Sequence, residues 1–343
     1  MAWWRFYRLA KKEVLVKFKT ITPLWTGDAW QNNREIRPSS LVGSLRFWFA
    51  FYWEIVKNGT TEKLDKSGVP KENLSELENP KENKTFREIL RKKIEEIDDF
   101  DEAIDETLDK LGLSVPSRIF GCTGWKSRIK IEIKDFEEEY IRFDELEFEF
   151  PLNTIQQNGN QLSSDFWIRK SLFKNRTDNP LKFFKNVKIK LIATDYWWDK
   201  YLNDFFEYFK DKLILVGGKN SFGFGFVNLS LDNNQDKLVI FHSIDNFLKI
   251  EKITNITYSG GKNILGFNFK YFLRKKENRN FRKNNFGEQR KSSKIYVSNL
   301  LENNSIYLLL LNNPFLGERE IPQHIFNKYV NWLKSLNGDN NNG

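Results

Sequence analysis

A glycine-rich segment, GGKNSFGFGFV at residues 217–227, holds the residues whose types and spacing best suit binding chemistry. Four of its first nine residues are glycines, which permit positive φ and a close backbone approach. Backbone N–H groups exposed in this way can cradle a phosphate while a lysine adds charge. We therefore expect a phosphate-bearing ligand here, held by Gly217, Gly218, Lys219, Asn220, Ser221 and Gly223. The alternative is a tight turn that binds nothing.

The order of the predicted elements excludes two familiar nucleotide loops. A Walker loop needs its glycines after a strand and a Lys-Ser/Thr pair that opens a helix. This segment instead follows a predicted helix at 197–212 and leads into a predicted strand at 224–231. A dinucleotide fingerprint needs a third glycine at a fixed offset, which Gly223 and Gly225 lack.

A second candidate surface is the basic stretch at 270–294. It carries ten Lys or Arg residues against two Glu, a net +8, with Phe281 and Phe286 between them. Such interleaving suits single-stranded RNA, because cations bind phosphates and rings stack on bases. The alternatives are a solvated loop and a contact with an acidic partner. The residues expected to contact RNA are Arg274, Lys275, Lys276, Arg279, Arg282, Lys283, Arg290 and Lys291.

The elements that must position these residues can be predicted from apolar spacing. Alternation predicts a strand at 14–20, and Pro38 with a helical apolar pattern predicts a helix from there. The acidic block 95–109 is expected to form an exposed helical face or to meet a basic neighbour. Further strands are expected at 129–133, 146–150, 187–192, 267–272, 295–297 and 307–311, and helices at 86–97, 103–111 and after Pro322.

Length and composition indicate a folded protein of two domains. The chain has 343 residues, of which 40% are hydrophobic, and a net charge of +9. No apolar run is long enough to span a bilayer, and no signal peptide is recognisable, so no membrane contact is expected. The single cysteine, Cys122, excludes an internal disulfide and suits a reducing compartment, hence the cytoplasm. With two histidines, a Cys/His metal site is excluded, and no cofactor is expected.

Five motifs, in order over residues 14–300, resemble the RAMP superfamily of CRISPR proteins: TITPLWTG, RPSSLVGSLRFWF, RIFGCTGWKSRIKI, GGKNSFGFGFV and LGFNFKYFLR with FGEQRKSSKIYVSNL. More narrowly, they are similar to the family of the first-named subunit of the Cmr (type III-B) effector complex. The resemblance implies an α+β fold of two ferredoxin-like (RRM-like) βαββαβ domains, at 1–232 and 233–343. Residues 57–116 would form a largely helical insertion in the first domain, and 232–236 a linker.

The resemblance also implies contact with RNA. Arg34, Arg37 and Arg46 around the first helix become candidate phosphate ligands, as do Trp125, Lys126 and Arg128 after the Phe-Gly-Cys turn. Many relatives carry a basic residue immediately before the helix glycine, where this chain has Val42. A phosphate contact at that position therefore cannot be transferred to this chain.

Catalysis is not expected, and the three residues that could be considered each have an ordinary role. Some target-cutting relatives keep an essential aspartate after the first strand, where this chain has Asp28, but an aspartate after a glycine is also a common turn residue. His242 follows an apolar run, and His324 lies in a predicted C-terminal helix away from the other motifs.

The sequence thus predicts a non-catalytic RNA-binding subunit at one end of a type III-B CRISPR complex. Its partners would be the guide RNA near its 3′ end, the target RNA or both, together with other subunits, in antiviral defence. Two alternatives stay open: a RAMP-type endoribonuclease that processes guides or cuts targets, and a scaffold whose basic surface binds protein.

Overall fold

The structure of the protein, a computed structural model, describes residues 10–28, 32–59, 83–149, 155–157, 160–162, 164–231, 247–258, 260–287, 293–312 and 321–336. The fold is mixed, with antiparallel sheets and helices. Several predicted features lie outside the described residues: the linker 232–236, His242, Arg290 and Lys291.

A five-stranded antiparallel sheet occupies the first part of the chain, in the strand order β2-β5-β1-β7-β6. The central strand β1 is paired on both sides, since Val16 lies opposite Ile189 on β5 and Leu231 on β7. The strands are β1 (Lys11–Thr20), β2 (Lys130–Ile141), β5 (Leu181–Thr194), β6 (Leu213–Leu215) and β7 (Phe226–Leu231). The strands predicted at 14–20, 129–133 and 187–192 are confirmed, and all three continue beyond those bounds.

Two helical segments cover this sheet. The first helix, Pro38–Phe51, begins at a proline, for which the first helical position is suitable, and continues as a π-helical turn, Tyr52–Lys57. Its side chains Leu41, Leu45 and Trp48 are almost wholly buried, as the apolar spacing predicts. The second segment runs through Asp195–Trp197, a π-helical Trp198–Leu202 and Asn203–Phe209.

The described residues from 83 to β2 include the helices Asn83–Glu96, Phe100–Lys110 and Val115–Phe120, of which the first two were predicted. The expectation that the acidic block is exposed is wrong for Asp101 and Asp105, which are 2% and 1% exposed. Asp105 accepts hydrogen bonds from Arg118, Tyr196, Tyr201 and Lys200. A carboxylate with four such donors tolerates burial, because its charge is paired and its oxygens are satisfied.

A three-stranded antiparallel sheet follows, in the order β8-β10-β9. Its strands are β8 (Leu248–Ile253), β9 (Ile295–Val297) and β10 (Ile306–Leu311), and its helices are Gly266–Lys275, Arg279–Asn285 and Gln323–Lys334. A short hairpin, β3 (Ile155–Gln157) with β4 (Asn160–Leu162), and a helical segment of Ser164–Trp167 and π-helical Ile168–Leu172 lie between β2 and β5.

Three sequence predictions about elements are wrong. Residues 267–272 form a helix, because Phe269 and Leu273 are both buried at a helical spacing of four residues. Leu146 makes only a single bridge, to Asn263, and no strand covers 146–149. The glycine-rich segment follows strand β6 and not the helix directly, because Leu213 and Ile214 are extended and fully buried.

The two sheets share one hydrophobic core. Leu248 and Ile250 of β8 and Leu309 of β10 belong to the same buried cluster as Val16 and Trp48. The other face of β10 packs in a separate cluster under the C-terminal helix, through Leu308 and Leu310. The predicted boundary at 232/233 stays a prediction, since residues 232–246 lie outside the described part. Among the described residues, no helix is long and apolar enough to cross a membrane.

Candidate nucleic-acid interface

A cleft of about 630 Å³ lies where the first helix meets the glycine-rich segment. Ser40, Gly43 and Ser44 line it on the helix side, and Trp25 lies on the wall formed by the turn after β1. The segment 217–220 forms the opposite wall. None of the lining residues is acidic, and Lys219 is the only cation among them. The cleft therefore suits a negatively charged ligand.

Backbone hydrogen bonds fix the glycine-rich wall of this cleft. The N–H of Gly217 donates to the Ser44 hydroxyl at 2.9 Å, and the N–H of Gly218 donates to the Trp25 carbonyl at 2.7 Å. Gly217 has φ +75°, and a Cβ there would stand 2.3 Å from that same carbonyl. Gly217 must therefore be glycine. Gly218 has no positive φ, and its own added Cβ would be 3.3 Å from the Trp25 ring.

Gly223, predicted to contact the ligand, lies instead at the junction with the second sheet. It is buried, with φ +98°, and an added Cβ would be 2.2 Å from the Asn299 side chain and 2.7 Å from the Gly266 nitrogen. Asn220 lines the cleft, but its amide also donates to the Phe224 carbonyl at 3.0 Å, so part of its side chain supports the turn. Ser221 is exposed.

Lys219 supplies the charge of the cleft from a residue with positive φ and a partly buried ammonium. Its backbone has φ +60°, and its ammonium donates to the Ser171 carbonyl at 3.0 Å. Burial, reinforced by the nearby charge of Lys174, lowers the pKa of Lys219 to about 8. The ammonium is still mostly charged at neutral pH, and an approaching anion would stabilise it.

The first helix lines the same region with its flank, through Ser40, Gly43, Ser44, Phe47 and Trp48. The helix is 14 residues long, with no acidic residue in its first turn and no side-chain cap on its first N–H groups. The unsatisfied N–H groups of a helix start carry partial positive charge and favour anions. In this helix the contribution is small, because Pro38 has no N–H and the Ser40 N–H donates to the Arg37 carbonyl. The hydroxyls of Ser40 and Ser44 lie on the side that faces the cleft. Ser40, Ser44 and the segment 217–220 with Lys219 line one volume, and the N–H groups of Gly217 and Gly218 are already bonded to Ser44 and Trp25.

The three arginines near the first helix have different environments. Arg34 is exposed. Arg37 lies 3.6 Å from the Asp28 carboxylate and 3.8 Å from that of Glu35. Arg46 donates to the Gly121 carbonyl at 2.9 Å and to the Ser117 hydroxyl, so it holds the turn after the short helix in place. Arg34 is therefore the most accessible of the three.

A second cleft, of about 310 Å³, lies on the other side of Trp25. Its lining residues include four cations and no acid: Arg34, Lys174, Arg176 and Lys182. The sequence analysis missed the last three. Lys182 is also paired with Glu138. The signal that could have found the others is the turn 174–180, where Asn175, Asn179 and Pro180 mark an exposed loop that carries two cations.

Of the residues predicted to contact RNA after the Phe-Gly-Cys turn, Trp125 and Arg128 pack against each other. The Arg128 guanidinium lies over the Trp125 ring at 4.2 Å, and burial lowers the pKa of Arg128. The Trp125 indole N–H donates to the Arg118 carbonyl at 3.0 Å. Lys126 is exposed. Lys126 is thus the residue of this group best placed for a ligand in solution.

The basic stretch divides into buried and exposed residues. Lys275, Lys276, Arg279 and Lys283 are exposed, whereas Arg274 and Arg282 are half-buried. Lys270 and Lys294 are 7% and 2% exposed, and burial lowers the pKa of Lys270 to about 7. Of the two aromatic rings expected to stack on bases, Phe286 is 2% exposed, and Phe281 is half-buried where it packs against the second core.

Of the residues considered for catalysis, His242 lies outside the described residues, and Asp28 and His324 lie in separate elements. Asp28 accepts a hydrogen bond from the Asn32 N–H at 2.8 Å, the geometry of a turn-forming aspartate. His324 is exposed near the start of the C-terminal helix. In the described part of the chain, no group of three or more His, Cys, Asp and Glu side chains is arranged to hold a metal ion.

The chain belongs to the RAMP superfamily, whose family model matches residues 17–228. That span contains the end of β1, the first helix and the glycine-rich segment. Among solved structures, the apo form of Cmr1 from Pyrococcus furiosus aligns with 95% of this chain and 96% of its own, at 11% sequence identity and a TM-score of 0.41. No curated protein matches the chain.

Proposed function

We propose that this protein is a non-catalytic RNA-binding subunit at one end of a type III-B CRISPR effector complex. It contacts the 3′ region of the guide RNA, the target RNA or both, and it acts in the cytoplasm in antiviral defence. The observation that supports this proposal is the acid-free cleft between the first helix and the glycine-rich segment, within a chain of the RAMP superfamily. The five ordered sequence motifs favour the Cmr branch.

The arrangement suits recognition of an RNA backbone and not of a base sequence. The Lys219 ammonium supplies positive charge to the cleft, and Ser40 and Ser44 line it as polar residues without negative charge. Contacts of this kind bind phosphates, which carry no sequence information, and their affinity falls as salt rises. Such a site allows one subunit to serve guides of any sequence.

The proposal includes two ferredoxin-like domains. In the first domain, the chain order strand, helix, strand, strand, helix, strand is supported by β1, the first helix, β2, β5, the helices 195–209 and β7. In the sheet, these four strands lie side by side in the order β7, β1, β5, β2. In the second, β8, the helix Gly266–Lys275, β9, β10 and the C-terminal helix follow the same order, with β10 between β8 and β9.

The experiment that tests the proposal fills the cleft without disturbing the fold. A Cβ added at Gly43 meets nothing within 4 Å, and Gly43 lines the cleft. Gly43→Leu should therefore fold normally but project a side chain into the ligand volume. We expect single-stranded RNA affinity to fall by about tenfold or more, because the phosphate contacts are displaced.

Gly43→Ala is the matched control, since it adds a methyl group to the same position and favours the helix by about 1 kcal/mol. It should bind RNA nearly as well as the parent. Equal affinity of the parent and Gly43→Leu, with both folded, would contradict RNA binding in this cleft. Release of shortened RNA by the purified chain would favour the nuclease alternative instead.

A further inference from the structure

Two large aromatic side chains stand exposed side by side on the segment between β2 and β5. Phe166 is 40% exposed and Trp167 is 38% exposed, and their ring centres are 5.2 Å apart in an edge-to-face arrangement. The helical turn that bears them, Ser164–Trp167, is anchored by Ile168 and Leu172, which are almost wholly buried. Exposed rings on an anchored turn are typical of a binding surface.

A chain of ring contacts joins this pair to the glycine-rich segment. Phe222 of that segment stacks on Phe267 at 5.2 Å and 22°, and Phe267 stacks on Tyr271 at 5.6 Å and 17°. Burial raises the pKa of Tyr271, and the neighbouring Arg274 and Trp167 side chains partly counteract this. The Lys219 ammonium lies 5.9 Å from the centre of the Phe222 ring. The exposed rings are thus connected to the glycine-rich segment through packed rings, of which Phe222 is only 7% exposed.

Cations accompany these rings, as a phosphate-bearing ligand requires. The Lys170 ammonium lies 5.6 Å from the Phe166 ring centre. The charges of Arg274 and Arg282 both act on the Tyr271 hydroxyl. The Arg169 guanidinium is 4.3 Å from the Phe143 ring and 4.0 Å from the Asp165 carboxylate, so its charge is partly compensated. Positive charge therefore predominates around an aromatic surface.

We propose that Phe166 and Trp167 form a stacking platform for unpaired bases of the RNA strand whose phosphates the cleft binds. This inference rests on the proposed function. Single-stranded RNA presents both the phosphates that the cations attract and the ring faces that stack on aromatic side chains. A base in a duplex is already stacked, so the platform selects an unpaired part of the strand. The two basic helices next to the platform, Gly266–Lys275 and Arg279–Asn285, then bind the flanking phosphates.

The test uses the full-length protein with three RNA ligands: an unpaired oligonucleotide, the same oligonucleotide made abasic at successive positions, and a duplex. We expect Phe166→Ala with Trp167→Ala to weaken binding of the intact strand by about tenfold or more, since each base–ring contact contributes several-fold. Abasic RNA should bind the parent and this variant alike. A 2-aminopurine base placed at the sensitive position should be quenched by the parent only.

Two further variants separate stacking from folding. Trp167→Phe keeps an aromatic ring at this position, and it should retain most of the affinity. Phe136→Ala removes a ring that is also 40% exposed, on strand β2, and it should bind like the parent. Unchanged thermal unfolding of the double variant shows that its loss of RNA binding is local.

Each remaining outcome decides against the platform in a recognisable way. If abasic and intact strands bind the parent equally, the platform is refuted while phosphate binding in the cleft stands. If the double variant binds RNA normally but fails to enter the assembled complex, the rings dock a protein neighbour. If the parent binds no RNA at all, the proposed function and the platform fail together.

Discussion

The backbone N–H of Gly218 donates a hydrogen bond of 2.7 Å to the carbonyl oxygen of Trp25. This bond joins the glycine-rich segment to the turn after β1 and so closes one end of the cleft. The same carbonyl occupies the space where a side chain of Gly217 would stand, at 2.3 Å from an added Cβ. Backbone packing between these two segments is therefore what places Lys219 beside the cleft.

The adjacent glycines 217 and 218 should respond very differently to alanine. At Gly217 a methyl group would clash with the Trp25 carbonyl and sit at positive φ, so we expect Gly217→Ala to lower the free energy of unfolding by about 2–4 kcal/mol. At Gly218 the backbone has no positive φ and the nearest atom, on the Trp25 ring, is 3.3 Å away. Gly218→Ala should change it by less than about 1 kcal/mol.

Urea denaturation of the two variants beside the parent measures this difference. Both glycines line the cleft. A difference between the two variants would therefore come from backbone conformation and not from position beside the cleft. Equal midpoints for Gly217→Ala and Gly218→Ala would contradict the backbone geometry described for this turn.

The buried carboxylate of Asp105 should stabilise the helical segment before β2. Arg118 donates to it at 2.8 Å, Tyr196 at 2.8 Å and Lys200 at 3.0 Å. Asp105→Ala leaves the buried Arg118 without this partner, so we expect the free energy of unfolding to fall by about 3–5 kcal/mol.

Asp109→Ala is the matched control for this carboxylate. Asp109 also pairs with Arg118, at 3.1 Å, but it is 69% exposed, so its loss should lower stability by less than about 1 kcal/mol. Denaturant unfolding followed by circular dichroism measures both variants. A loss at Asp105 no larger than that at Asp109 would show that the buried network contributes little.

RNA binding should weaken as the pH rises through the pKa of Lys219, which burial lowers to about 8. The lysine loses its charge above that value, and one phosphate contact goes with it. Lys219→Arg keeps its charge at every accessible pH and should bind RNA with a flatter pH profile. Affinity measured near pH 7 and near pH 9 for both proteins provides the comparison.

The loss of the Lys219 charge at high pH does not itself destabilise the folded protein, so it would not weaken RNA binding through unfolding. Because the folded state binds the Lys219 proton less tightly than the unfolded state, this group makes the protein more stable as the pH rises above about 8. A parent and a Lys219→Arg variant with the same pH profile would show that another group controls binding.

Asp28→Ala should leave target cleavage by the assembled complex unchanged. The Asp28 carboxylate accepts a backbone hydrogen bond from Asn32 and lies 3.6 Å from Arg37, so it serves the turn. A catalytic acid or base contributes about 10²–10⁴ to a rate, so its loss would be unmistakable. Loss of cleavage at one defined site, with RNA affinity preserved, would identify this chain as a nuclease. Asp144→Ala, an exposed carboxylate that lies 3.2 Å from the Arg142 guanidinium, is a suitable control.

The spacing of apolar residues was enough to predict the elements in which only one periodicity is present. The alternation in β1 and the helical spacing of Leu41, Leu45 and Trp48 are each unambiguous, and both elements are found. At 267–272 aromatic residues occur at every second position and at every fourth, so strand and helix fit equally well. Burial of Phe269 and Leu273 on one side decides for the helix, and that burial depends on the second sheet.

The candidate site could be predicted only where composition carries the signal. The glycine-rich segment and Lys219 are visible in the sequence, whereas the acid-free cleft requires the first helix and the Trp25 turn to meet that segment in space. Lys174 and Arg176 reach the neighbouring cleft from a loop that is remote in sequence from Arg34. Conversely, the number of cations in the basic stretch 270–294 is larger than the number at the surface, because Lys270 and Lys294 are buried.

The salt dependence of RNA affinity tests the central claim, that the cleft and its surroundings bind an RNA backbone. We predict that log affinity of the parent for single-stranded RNA falls linearly with log salt, by about 0.7 for each phosphate neutralised. Replacing Lys219 and Arg34 by glutamine should reduce the slope by about 0.7 per cation removed that contacts a phosphate. An affinity that stays the same between about 50 and 200 mM salt would contradict the account.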